Sequence, residues 1–503
     1  MGAIIISFRG SIDIDEMAES YSKQSHQLLS DCYDGEHIRI RKFSRICGTG
    51  SKIVQDEMGN IITFIGLLGY EKDDKMIVDP RIILKSWIDR ENEEAFLRSL
   101  WGNYVLYIYN NNKNELSIIK DYSNSLNSYI ACHNGGVYIS NSSLILAEYL
   151  PVSMNIQGVA NLFTFNSLFE FNSLYNEIIK IKPAHIYLIN SNSEIIEREY
   201  SHPPCDVSDE PITVEKLSNI VKRSLELSYL YSERPSVDIT GGYDTRLIFA
   251  AALNLGKNFI GCVHGEDDDE VQFVKNHVAY PLGIHCEVLR IGKHHIPSFV
   301  SSAIQCHYLF DGEYSLFDSI KEGLRSIKRL NYSDSKITGG IGEILRDKWY
   351  HDGYKYSSKQ DLIGFYKKRF IRFYCQDSKA SLPMETFNKE FRLYLSDEYK
   401  KRIAQLIDEH YDYLETSDKG YLYLYPAYLH YIRGWLGELY GAHNRILVCS
   451  APYIERHLVD YVLAKNNIYK KDALIQVSSI NYLCNKLSEI PMIDGYPCLP
   501  KTL

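Results

Sequence analysis

This 503-residue chain has no lysine-bearing phosphate loop, no paired thiols and no long apolar run. No Gly-Lys-Ser/Thr ending follows any of its glycine pairs, which excludes the Walker type of phosphate loop. Its 11 cysteines form no Cys-x-x-Cys pair and take no metal-ligand spacing, which argues against a zinc module or a dithiol redox centre. The longest apolar runs fall well short of the ~20 residues that a membrane span needs. Lys+Arg 55 against Asp+Glu 64 leaves a net charge of −9 and no basic tract, so nucleic acid and anionic membranes are disfavoured as partners. Met1 to Arg9 places its apolar stretch before its first charge, the reverse of a signal peptide, and a reduced cytoplasm is the expected location. The 40 tyrosines accompany abundant Asn, Ile and Lys and read as genome composition rather than a stacking surface.

What is present is a strand-turn-helix grammar. Ser236-Val-Asp-Ile-Thr240-Gly241-Gly242-Tyr-Asp244-Thr245-Arg246, followed by the apolar run Leu247 to Leu253, reads as a short buried strand, a two-glycine turn and a helix entry. Without a Cβ, Gly241 and Gly242 let a phosphate oxygen approach their N–H groups, and the helix dipole adds to the attraction. Asp244 with the Thr240 and Thr245 hydroxyls suits a hydrated Mg²⁺, or simply a helix cap. Taken alone, this segment is as consistent with an ordinary strand-to-helix connection. A second segment, Ser335-Lys-Ile-Thr338-Gly339-Gly340-Ile-Gly342-Glu343, repeats the grammar about a hundred residues on, where a neighbouring strand is expected. Between them, Tyr308-Leu-Phe-Asp311-Gly312-Glu313 is an acidic turn after an apolar stretch.

At these residues the chain resembles the asparagine synthetase superfamily, including its β-lactam synthetase and lasso-peptide cyclase branches. Thr240-Gly-Gly-Tyr-Asp-Thr245 is similar to that family's Ser-Gly-Gly-x-Asp-Ser loop, and Thr338-Gly339 to the start of its Ser-Gly-x-Gly-x-Asp-Glu motif. His264 to Glu270 resembles its acidic segment, Phe310-Asp311-Gly312 the segment with a Mg²⁺-binding Asp, and Ala451 to Asp460 its Val-Pro-Phe-Leu-Asp element. Upstream, Trp101-Gly102 to Tyr109, Asp121 and Val137 to Ser142 resemble the class II glutamine amidotransferase core. The resemblance implies an N-terminal Ntn-hydrolase-like αββα sandwich followed by an adenine-nucleotide α-hydrolase-like α/β domain with a pyrophosphate loop. It implies ATP and Mg²⁺ as cofactors. Thr240, Gly241, Gly242, Asp244, Thr245, Val263, Thr338 and Gly339 would border the nucleotide, and Asp244 and Asp311 the metal. Tyr308, paired with a carboxylate such as Glu313 or Glu343, would be the acid-base group; a packed aromatic is the plain alternative for Tyr308. Of the late lysines, Lys348, Lys486 and Lys501 are all candidates for the family's acyl-transfer residue.

The departures are as informative. A glutaminase of this kind needs Cys at position 2, whose α-amine activates its own thiol, and residue 2 here is Gly. No glutamine hydrolysis is expected. Gly340 and Glu343 stand where that motif has Glu and Asp, and Arg246 where the first loop has Ser, so Arg246 grips a substrate carboxylate or pairs on the helix surface. The proline-rich stretch Ser201 to Pro211 marks a boundary between domains at 1–205 and 212–503, the second mostly helical beyond Lys355. The expected activity is an ATP-dependent amide ligase that joins a small-molecule or peptide carboxylate to an amine or ammonia, and a homodimer is compatible with it. An asparagine synthetase and a non-catalytic nucleotide-binding protein are the alternatives.

Overall fold

The computed structural model describes residues 2–47, 52–165, 173–201, 210–266, 268–291, 299–314, 316–346, 436–465 and 467–493, with a few isolated positions besides. The first half stacks two antiparallel sheets of six strands each. In spatial order one runs Ile178–Lys180, Tyr129–His133, Gly136–Ser140, Ala3–Phe8, Ile38–Phe43 and Leu29–Asp34. The other runs Ile195–Glu199, His185–Ile189, Glu115–Lys120, Tyr104–Asn110, Ile61–Gly66 and Val54–Gln55. Ala3–Phe8 is apolar at nearly every position because both its faces are covered. Ile4, Ile6 and Phe8 point between the sheets, whereas Ala3 and Ile5 pack under the helices Ile14–Ser25 and Ser143–Tyr149. Ile61–Gly66 alternates in the same way, with Ile61 and Ile65 inward and Ile62 and Phe64 against the helices Pro80–Ile88 and Glu93–Arg98. Each such fully buried side chain contributes about 1.5–3 kcal/mol. The result is a helix–sheet–sheet–helix stack.

The helix α1 (Val214–Leu230) opens the second half, capped by the Thr213 hydroxyl. A five-stranded parallel sheet follows: β1 (Ser236–Asp238), β2 (Ile260–His264), β3 (Cys286–Leu289), β4 (Ser335–Ile337) and β5 (Val448–Ser450), in the spatial order β3-β2-β1-β4-β5. That order reverses between β1 and β4, and such a switch point leaves a crevice beyond the carboxyl ends of the two strands. The helices that matter for it are α2 (Tyr243–Asn254), directly after β1, α3 (Leu316–Arg329), α4 (Gly437–Ile446) and α5 (Leu474–Leu483). The register pairs Val237 with Ile337 and Asp238 with Cys262. One face therefore carries Val237, Val263 and Ile337 into an apolar core, and the other carries Asp238, His264 and Lys336.

The end of α4 joins the halves. Ile46 N–H donates to Arg445 O at 3.2 Å and Cys47 N–H to Ile446 O at 3.0 Å, while Arg45 Nε donates to Asn444 O at 3.1 Å. The buried Arg445 guanidinium returns bonds to Tyr308 O (2.8 Å) and Leu309 O (3.0 Å) and to Asn141 O of the first half. The helical stretch expected beyond Lys355 falls, as far as residue 435, almost wholly outside the described residues, as do Lys348, Lys501 and most of the linker.

Candidate functional site

The two glycine turns, about a hundred residues apart in sequence, touch each other at the switch point. A Cβ built on Gly339 would lie 2.5 Å from Thr245 Cα and 2.6 Å from Thr245 N, and one on Gly342 would overlap the Asp244 carboxylate. The second turn thus lies directly on the N-terminus of α2, and only residues without a side chain permit that approach. Inside the first turn Thr240 Oγ1 and Thr245 Oγ1 share a 2.6 Å hydrogen bond. Thr240 Oγ1 also accepts from Gly242 N–H at 3.2 Å. Gly242 is the N-cap of α2 and supplies no side-chain cap, so the positive end of that helix faces the turn. Gly241 N–H donates to Glu270 Oε1 at 3.2 Å, an internal carboxylate held where an anion would bind. Thr338 continues β4, its N–H bonded to Ser450 O at 3.0 Å, and its hydroxyl accepts from Gly340 N–H at 3.4 Å. Val263 lies in the adjoining β2 with a buried side chain.

Asp244 is the most connected polar group of the site. Arg346 Nη2 donates to its Oδ2 at 2.5 Å, Gln476 Nε2 from α5 donates to its Oδ1 at 2.7 Å, and the Tyr453 hydroxyl donates to its backbone O at 2.8 Å. The same Arg346 Nη2 lies 3.8 Å from Glu343 Oε1. One cation thus stands between a carboxylate from the first turn and one from the second. Nothing in the local sequence marked Arg346 or Gln476. Arg346 follows the second glycine motif by three residues without matching any motif position, and Gln476 reaches Asp244 across 232 residues of chain.

Asp311 is not brought to the turns. It ends the helix Phe299–Leu309 in the left-handed region, at φ +59°, and its carboxylate caps the helix Ser143–Tyr149 of the first half. Ser142 Oγ (2.5 Å), Ser143 N–H (2.6 Å), Ser143 Oγ (2.9 Å) and Leu144 N–H (3.3 Å) all donate to it. Those four donors, which only docking of the halves supplies, occupy both oxygens. Among the described residues no group of three His, Cys, Asp or Glu side chains forms a metal cluster. Tyr308 pairs with neither Glu313 nor Glu343. Its hydroxyl donates to Glu148 at 3.1 Å, and burial, then the Glu148 bond and charge, push its phenol up to about 12. Glu313 is taken up by Lys180 (3.0 Å) and Tyr129 (2.6 Å). Arg246 is buried and holds Ile490 O (2.6 Å) and Pro491 O (3.1 Å), so it packs under a later segment of the chain instead of pairing on the helix surface. Lys486 lies in the short helix Asn485–Ser488.

Below the turns, Arg329 ties β1 to β2. It donates to Ser236 Oγ (2.8 Å), Asp238 Oδ1 (2.5 Å) and His264 Nε2 (3.0 Å). Burial raises the Asp238 carboxyl, but the charges of Arg329, Lys336 and His264 outweigh that and hold it below the ordinary range. Burial pushes the His264 imidazole down to about 3. This fixes the strand ends from which the first turn and Val263 extend.

At the other end of the chain, Gly2 is the residue at which the resemblance leads one to expect a thiol. Its N–H donates to Phe43 O at 3.2 Å, and a Cβ there would overlap Gln27 Nε2 and the Ser44 carbonyl. Gln27 is fully buried and bonded to Ser44 O (2.9 Å) and Arg445 O (3.0 Å).

No family model matches the chain, and no curated protein does. Solved structures similar to it include an allosteric regulatory enzyme of purine biosynthesis, at 8% identity and a TM-score of 0.28 over 47% of this chain and 60% of that one. Glutamine phosphoribosylpyrophosphate amidotransferase from B. subtilis, complexed with ADP and GMP, is similar at 8% identity and a TM-score of 0.26, over 57% of this chain and 65% of that one. The chain thus spans less than two thirds of either protein. Likenesses of this size carry no argument about activity.

Proposed function

We propose that the chain is an ATP-dependent amide-forming ligase whose nucleotide site is the crevice between β1 and β4. The observation that carries this reading is the contact of two glycine turns at the switch point, with Asp244 and Glu343 both facing the Arg346 guanidinium. The Gly241 and Gly242 amides and the uncapped start of α2 suit a pyrophosphate group, while Thr338, Gly339 and the main chain at Val263, whose side chain is in the core, would border the nucleoside. In this reading Asp244 and Glu343 would hold Mg²⁺, while the Asp311 carboxylate is bonded to Ser142, Ser143 and Leu144. When bound, the ion would neutralise charge on the leaving pyrophosphate.

In this reading a substrate carboxylate oxygen attacks the α-phosphorus of ATP and pyrophosphate departs. An amine then attacks the activated carbonyl and AMP leaves, forming the amide. The turns contribute fixed N–H donors and helix-end charge where negative charge accumulates. A protonated Tyr308 bonded to Glu148 does not suit a base, and we assign it no step. The helix–sheet–sheet–helix layering of the first half is compatible with the Ntn-hydrolase-like sandwich that the resemblance implies. With Gly2 closed in by Gln27 and Ser44, however, the amine comes from the substrates rather than from glutamine. A peptide, a specialised metabolite or a sugar acid would supply the carboxylate, and a homodimer is compatible with the assignment. Exchange of labelled pyrophosphate into ATP, screened across carboxylic acids, tests the reading: acid-dependent exchange supports it, and acid-dependent release of ADP refutes it.

A further inference from the structure

The polar groups of the site are satisfied by one another's charges. Glu270 holds the Gly241 amide at 3.2 Å, and Arg346 holds Asp244 at 2.5 Å while standing 3.8 Å from Glu343. A carboxylate thus occupies an anion position and a guanidinium a cation position. A divalent ion held by Asp244 would stand beside the Arg346 guanidinium now bonded to its Oδ2, and two positive charges that close repel. The ion and the guanidinium would therefore compete for Asp244.

We infer that Arg346 is a resident counter-ion for Asp244 that moves onto the pyrophosphate group when Mg²⁺ arrives, so that it competes with the metal and positions the phosphate. This rests on the pyrophosphate reading above. Three observations support it. Arg346 N–H is bonded to Glu343 O at 3.0 Å, so the main chain stays beside the turns whichever way the side chain goes. Its Nε is buried without a hydrogen-bond partner, leaving a donor of the present pose unused. Its side chain is 24% exposed, so it can turn without unpacking a core. Once the metal takes Asp244, the group best matched to a displaced guanidinium is a phosphate at the start of α2, which presents paired oxygens to its planar fork.

The alternative is a static clamp that only pins the second turn onto α2. Titration calorimetry on the full chain separates the two, using MgCl₂ alone and then inorganic pyrophosphate at saturating Mg²⁺, with thermal unfolding as a check on folding. For Arg346→Gln the inference expects opposite shifts: Mg²⁺ alone binds more tightly, and pyrophosphate binds about tenfold or more weakly, the scale of a lost charge-assisted hydrogen bond. Arg346→Lys should recover part of the pyrophosphate affinity. Unchanged pyrophosphate affinity in Arg346→Gln overturns the inference, as does a joint fall of both affinities together with stability. If the wild-type chain binds no pyrophosphate with Mg²⁺, the reading of the site fails, and the inference falls with it.

Discussion

Gly339→Ala is the sharpest probe of the contact between the turns. The added methyl carbon would sit 2.5 Å from Thr245 Cα and 2.6 Å from Thr245 N, both backbone atoms. Ordinary carbon contacts are about 3.5–4.0 Å, so the turns must separate by about 1 Å. Overpacking of this kind costs about 1–3 kcal/mol, which leaves a folded protein. A shift of about 1 Å between reacting or binding groups costs on the order of 10² in rate. The expected result is a fall of about a hundredfold in acid-dependent pyrophosphate–ATP exchange, with a modest drop in melting temperature. Gly340→Ala is the internal comparison, because its methyl would meet the Tyr440 hydroxyl at the end of a side chain rather than backbone. Full exchange activity in Gly339→Ala, with native thermal stability, would refute the argument that the two turns form one site.

Three further outcomes follow from other parts of the molecule. Gly2→Cys is expected to release no glutamate from glutamine and to lower stability, since Gln27 and the Ser44 carbonyl fill the space a thiol needs; glutaminase activity in that variant would show the site is open. Asp311→Ala should destabilise the fold by about 1.5–3 kcal/mol or more through lost charged hydrogen bonds, read by urea unfolding, without weakening Mg²⁺ binding; a loss of Mg²⁺ affinity at unchanged stability would make it a metal ligand after all. His264 is held down to about 3 against an ordinary 6.5, so between those values the unfolded chain binds a proton that the folded chain refuses. Stability should therefore fall as pH drops from 6.5 towards 3 and be insensitive to this group above 6.5. Urea titrations at pH 7 and 4.5 should show a smaller drop for His264→Gln, and an identical drop would remove His264 from the account.

The parts of this architecture written locally in the sequence were legible. Apolar runs such as Ile4 to Phe8 mark strands covered on both faces, and Ser236 to Leu253 carries strand, turn and helix in one stretch. The adjacency of Thr338 and Gly339 to the first turn was also readable, because both segments have the same grammar and parallel strands bring like ends together. What was not legible depended on docking. Asp311 reads as an acidic turn near a metal until the two serines at 142 and 143 are brought to it by the other half of the chain. Arg246 at a helix entry looks exposed, but the segment from Ile490 to Ile493 covers it and packs against Gly241. Gln476 is apolar helix by pattern and becomes a partner of Asp244 only through the fold. The polar face of the parallel sheet, with Asp238, His264 and Lys336, departs from the usual apolar coverage and has no short-range signature.

The most direct measurement is exchange of labelled pyrophosphate with ATP in the wild-type chain and in Asp244→Ala, each with a panel of carboxylic acids and Mg²⁺. The account predicts exchange that depends on the acid in the wild type and disappears in the variant while folding is kept. Exchange that persists in Asp244→Ala, or acid-dependent conversion of ATP to ADP in the wild type, would contradict it.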